Sequence, residues 1–136
     1  MMKQLVLSLL AALISLPASA DAYFFYTYEG QTLTYITSDD NCHVINCNMH
    51  ETTSPNVIIP EAVYSKENQR SYTVTEIQNS AFSLSTGITS VTIPATVQTI
   101  KNNAFYNCSL SSVSLPKAKT IRSHAFYNCT NLKTIT

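Results

Sequence analysis

Val91-Thr-Ile-Pro-Ala-Thr-Val-Gln-Thr-Ile-Lys-Asn-Asn-Ala-Phe-Tyr-Asn-Cys108 is followed, four residues on, by Val113-Ser-Leu-Pro-Lys-Ala-Lys-Thr-Ile-Arg-Ser-His-Ala-Phe-Tyr-Asn-Cys129. The two stretches share, in order, an alternating apolar strand, a proline, an isoleucine and Ala-Phe-Tyr-Asn-Cys. Leu132-Lys-Thr-Ile135-Thr136 opens a third copy, and the leading residues Ile88, Leu110 and Leu132 are 22 residues apart. The second block recurs as Ile77, Ile100 and Ile121, at steps of 23 and 21 residues. An earlier strand, Val57-Ile58-Ile59-Pro60, reads as copy zero and carries an insertion from Glu61 to Thr73. Self-similarity at this period marks a repeat solenoid.

The physics of one unit is readable from its residues. The pattern apolar-x-x-apolar-x-apolar is a half-buried strand, with Val113 and Leu115 on one face and Ser112 and Ser114 on the other. Proline ends the strand because it has no N–H for the ladder. The chain then turns and returns Ile, Ala and Phe to the same core. The recurrent phenylalanine predicts an aromatic stack, Phe105 between Phe82 and Phe126. One such unit buries too little apolar surface to offset its ordering entropy, so units stack.

Outward from the repeats, Met1–Ala20 reads as a secretory signal peptide. Lys3 supplies its charge, Leu5–Leu16 its apolar run and Pro17-Ala18-Ser19-Ala20 its cleavage site, leaving Asp21 first in the mature chain. The apolar run is too short to span a bilayer, and no later stretch is apolar enough to do so. Residues 21–56 form a β-rich lead-in, in which Tyr23–Tyr28, the Glu29-Gly30 turn and Thr32–Thr37 predict a hairpin. A second hairpin is expected from Val63-Tyr64 and Ser71–Val74 inside the insertion. The reading is a mainly β chain: a signal peptide at 1–20, a hairpin cap at 21–56 and repeats at 57–136, the last incomplete.

The spaced strings V-T-I-P…A-F-Y-N-C and V-S-L-P…A-F-Y-N-C resemble the BspA-like leucine-rich repeats of bacterial and protozoan surface proteins. The resemblance runs over Val57–Thr136 and extends to the lead-in. It implies a leucine-rich-repeat solenoid, a secreted or cell-surface location and an adhesion or host-interaction role. Ser85 stands where the pattern has cysteine, and Gln78, Lys101 and Arg122 stand where it has glycine.

Candidate sites follow from which residues the repeat turns outward. Ser90, Thr92, Ser112, Ser114, Thr134 and Thr136 are the solvent-facing strand residues. They form a small polar row without aromatic anchors, suited to modest affinity for a protein or glycan. Charge is divided along the chain. Asp21–Glu76 holds eight acids against Lys66 and Arg70, whereas Ile77–Thr136 holds five cations and no acid. Lys101, Lys117, Lys119 and Arg122 are expected to form a basic patch, with Lys101 and Arg122 on adjacent rungs about 5 Å apart. An acidic glycan, or the acidic half of another copy, fits it. Nucleic acid fits less well for want of stacking platforms. The alternative to a binding module is an assembly segment that pairs through its open repeat end.

Cysteine and histidine give weaker signals. Cys42, His43, Cys47 and His50 do not have a standard zinc spacing, and a strand over 42–47 turns Cys42 and Cys47 to opposite faces. Cys108 and Cys129 occupy equivalent places. A secreted setting permits a disulfide, but parallel side chains on stacked rungs suit it poorly, and two buried thiols are the preferred reading. Asn107-Cys-Ser and Asn128-Cys-Thr match the glycosylation pattern, which the repeat itself explains. No hydrolase constellation or phosphate loop stands out. Neither an enzyme nor a cofactor is expected.

Overall fold

Among the described residues, the hydrophobic periodicity resolves into eleven strands. The structure, a computed structural model, describes residues 23–47 and 55–136, with only the backbone of 45–47. The signal-peptide reading, most of the segment joining cap to repeats, and His50 lie outside the described residues. The strands are β1 (Tyr23–Tyr28), β2 (Gln31–Ser38), β3 (Asn41–Cys47), β4 (Asn56–Ile58), β5 (Ala62–Ser65) and β6 (Arg70–Ile77). They continue as β7 (Ser90–Thr92), β8 (Thr99–Ile100), β9 (Ser112–Ser114), β10 (Thr120–Ile121) and β11 (Thr134–Ile135). Among the described residues no helix is long and apolar enough to cross a membrane.

Two sheets enclose the core. The larger runs β1-β2-β3-β6-β8-β10, with β5 on β6, and the smaller runs β4-β7-β9-β11. Each repeat contributes one short strand to each sheet, and successive copies pair in parallel. Val57, Val91 and Val113 are in register in the smaller sheet, as are Ile77, Ile100 and Ile121 in the larger. This is the repeat solenoid the sequence predicts. The insertion in copy zero forms β5 and the start of β6 as an antiparallel hairpin.

The cap belongs to the same larger sheet. The β1–β2 hairpin turns through Glu29 and Gly30, at φ 48° and 76°, both in the left-handed region that a two-residue hairpin turn needs. β3 then pairs in parallel with β6, His43 opposite Glu76 and Val44 opposite Ile77, so it acts as the first rung. Phe24 stacks on Tyr35 at 5.6 Å and leans on Tyr72 at 5.9 Å, giving the cap its own aromatic core. Gln31 closes the N-terminal edge of the smaller sheet. Its side-chain amide donates to the carbonyl of Asn56 and accepts from the N–H of Ile58.

The turn after each larger-sheet strand is a ladder in itself. Phe82 N–H donates to the Ala104 carbonyl and Phe105 N–H to the Ala125 carbonyl, both at 2.7 Å. The rings follow: Phe82, Phe105 and Phe126 stack at 5.0 and 5.1 Å, nearly parallel. The recurrent cysteine has a stated partner. The Cys108 thiol donates to the Phe82 carbonyl at 2.7 Å and that of Cys129 to the Phe105 carbonyl at 2.9 Å. Cys42, Cys108 and Cys129 are all thiols, not disulfides.

Two places per turn require positive φ. Ser80, Asn103 and His124 hold one, and Leu84, Asn107 and Asn128 the other, at 63°, 56° and 57°. Asparagine tolerates this region far better than leucine. The Asn128 amide donates to the Asn107 side-chain oxygen at 2.6 Å, a ladder that stops at Leu84, which is 62% exposed. Leu84→Asn removes strain, loses little burial and offers Asn107 a further partner. A stability gain of about 1 kcal/mol is expected in urea titrations; a loss would show that Leu84 packs usefully.

Candidate functional site

The smaller sheet sets out the expected residues in two rows by register. Ser90, Ser112 and Thr134 align, with Asn56 preceding them, and Thr92 aligns with Ser114. Thr136 continues the second row, its N–H bonded to the Val113 carbonyl. The alternation that buries Val91 and Val113 turns these hydroxyls outward. Thr92, Ser114, Thr134 and Thr136 are exposed, while Ser90 and Ser112 are half-buried. Ser90 spends its hydroxyl on Asn56, donating to the side-chain oxygen at 2.7 Å.

The larger sheet distributes the cations differently from the expected patch. Lys101 follows Ile100, faces outward and reaches back one rung to Glu76, 2.9 Å from Nζ to Oε2. His43 Nδ1 lies 3.2 Å from the same oxygen, and the Gln78 amide donates to it at 3.4 Å. A bulge between Cys42 and His43 makes this possible by skipping Thr75, so that His43 falls opposite Glu76. Lys101 is therefore part of a structural cluster joining cap to repeats. Lys117, Lys119 and Arg122 are exposed and make no ion pair among the described residues.

Cys42 and His43 point to opposite faces of β3, Cys42 into the core and His43 toward Glu76. The described residues contain no group of three or more metal-ligating side chains. Burial pushes the Cys42 thiol up from its ordinary 9.0 to about 12. The folded chain thus holds a proton that the unfolded chain releases near pH 9. Stability from this source is full below that pH and falls toward pH 12 at up to about 1.4 kcal/mol per pH unit. Cys42→Val should flatten the decline between pH 8 and 10 in chemical denaturation; an unchanged slope would assign it to other groups.

Two surface features have no counterpart among the residues singled out from sequence. The first is aromatic. Tyr23 and Phe25, on the outer face of β1, are 66% and 67% exposed, and Tyr64 on β5 is also exposed. Tyr23-Phe-Phe-Tyr-Thr-Tyr28 signals it, since a strand with aromatics at successive positions must show some to solvent. The second is the Tyr106–Tyr127 pair, stacked at 5.5 Å outside the phenylalanine column.

Comparison with known proteins agrees with this geometry. Residues 64–136 match the family described as BspA type leucine-rich repeat region (6 copies). A leucine-rich cell surface protein from Faecalibacterium prausnitzii A2-165 superposes with a TM-score of 0.65 at 28% identity, over 85% of this chain and 31% of that one. A leucine-rich repeat protein from Bacteroides ovatus ATCC 8483 gives 0.65 and 28%, over 88% and 29%. One from Bacteroides capillosus ATCC 29799 shares the fold at a TM-score of 0.54 and 20% identity, over 82% of this chain and 96% of that one. The chain spans about a third of the length of the first two. No curated protein matches it.

Proposed function

The chain belongs to the BspA-type leucine-rich repeat family, and from that premise we propose that it is a non-catalytic interaction module of a secreted or cell-surface protein. Its partner is a protein or a glycan, engaged in adhesion. The observation that carries this reading is the outer face of the smaller sheet. Its parallel strands present Thr92, Ser114, Thr134 and Thr136 in exposed rows, a regular hydrogen-bonding surface held by a rigid core. Such a surface can meet a repeating ligand at many weak points. The test is binding of the whole chain to immobilised matrix proteins and a glycan array, against Thr92→Glu with Ser114→Glu. Loss of a bound partner in the variant supports the row; identical binding profiles, or no binding by either protein, overturn it.

A second reading, assembly through the β10 and β11 face, has its own observation. Ile121 and Ile135 occupy inward places in the repeat yet are 51% and 55% exposed, on the outermost strands β10 and β11. Another repeat laid on that face would cover them. Sedimentation should then show concentration-dependent association that Ile135→Lys abolishes.

A further inference from the structure

We propose that Lys117, Lys119 and Arg122 form a docking surface for a linear acidic polysaccharide, an inference that names one partner class for the interaction module above. The chain from Ile77 to Thr136 has no acid, so these cations meet no carboxylate within their own repeats. The nearest acid in sequence, Glu76, is held by Lys101 and His43, and Arg70 is held by Asp40. Paired cations contribute little to a distant anion; Lys117, Lys119 and Arg122 make no ion pair among the described residues and fall within six residues of one repeat, apart from the similarly unpaired Lys66 and Lys133. They lie along β10 and its lead-in, at the outer edge of the larger sheet. Where the previous turn buries Val97, this turn has the smaller Ala118 flanked by the two lysines, both exposed.

The chemistry of the surface selects the kind of partner. Among the described residues no acid or ring contact fixes the three long side chains, so they recognise charge density rather than a fixed shape. A folded protein partner needs a desolvated apolar or aromatic anchor. Here the half-exposed Ile121 offers a single aliphatic contact beside the cations, Tyr127 stands on the following turn stacked against Tyr106, and the exposed rings of Tyr23 and Phe25 stand on β1, at the opposite edge of the sheet. Nucleic acid would call for stacking platforms beside the cations. A flexible polymer carrying sulfate or carboxylate on successive sugars needs none of these.

The experiment compares the whole chain on heparin resin with two variants of equal formal charge. Lys117→Gln/Lys119→Gln/Arg122→Gln removes the grouped cations; Lys66→Gln/Arg70→Gln/Lys101→Gln removes as many from elsewhere, two of them ion-paired. Native protein and the second variant should be retained at low salt, and the first should flow through. For three contacts, the log–log dependence of affinity on salt should have a slope of roughly −2, from about 0.7 per contact on a flexible polyanion. Polygalacturonate and dextran sulfate as competitors separate carboxylate from sulfate recognition, and either supports the proposal. Equal elution of the two variants overturns it, as does failure of the native chain to bind. So does salt-sensitive dimerisation without retention, which would assign the cations to the acidic half of another copy. Thr92→Glu with Ser114→Glu should leave retention intact, so the two surfaces fail or survive separately.

Discussion

Phe105→Ala is expected to destabilise the chain by about 3–5 kcal/mol, the usual cost of truncating a fully buried aromatic side chain. Phe105 is fully buried, with Phe82 at 5.0 Å on one face and Phe126 at 5.1 Å on the other. Its backbone joins the same column, its N–H bonded to Ala125 and its carbonyl receiving the Cys129 thiol. Removing the ring leaves a void with a stacked ring on each side, and the backbone ladder resists collapse into it. A domain of this size has roughly 5–15 kcal/mol in total, so the variant should be largely unfolded at moderate urea. Tyr106→Ala is the control. Among the described residues its ring stacks on Tyr127 alone, and it is half-exposed, so a loss of about 1 kcal/mol is expected. Equal losses in urea titrations would refute the division between an inner column and an outer pair.

That division shows what the sequence makes legible. Phe82, Phe105 and Phe126 recur because each copy must fill the same place in the core, and a repeated physical demand leaves a repeated letter. The hairpins are legible for a related reason: strand alternation and a Glu29-Gly30 turn are local signals. Lys101 is the contrary case. Its partner Glu76 belongs to the preceding rung, and a boundary drawn between acidic and basic halves at Ile77 separates the two. The bulge that sets His43 opposite Glu76 is a fact of register between β3 and β6, strands far apart in sequence. Pairings of that kind depend on how distant strands slide past one another, which no local pattern records. On the smaller sheet the alternation of buried Val91 and Val113 with outward Thr92 and Ser114 is a local pattern, while the half-burial of Ser90 and Ser112 is not; a ligand is legible in neither, because hydroxyls alone specify no one partner.

Gln31 illustrates the same limit, and its replacement carries the second large effect. In sequence it is a polar residue beside a turn with nothing to mark a partner; in the fold it is almost fully buried. β4 is the first strand of the smaller sheet, and among the described residues no strand pairs with its backbone toward the cap. Gln31 supplies both partners from one side chain, donating to the Asn56 carbonyl and accepting from the Ile58 N–H at 2.9 Å. Gln31→Met keeps the length and apolar stem but strands both groups. Each unmet group costs about 1–3 kcal/mol, less where water reaches Asn56, so a loss of about 2–4 kcal/mol is expected. The exposed strand edge should also promote aggregation on heating. Gln31→Glu separates hydrogen bonding from packing. As a carboxylate it still accepts from Ile58 but turns an oxygen against the Asn56 carbonyl; protonated, it restores a donor. Its stability relative to the native chain should therefore recover as pH falls through the carboxylate range, while the methionine variant shows no such recovery. If methionine is tolerated within about 0.5 kcal/mol, Gln31 does not close the edge, and β4 must be satisfied by solvent.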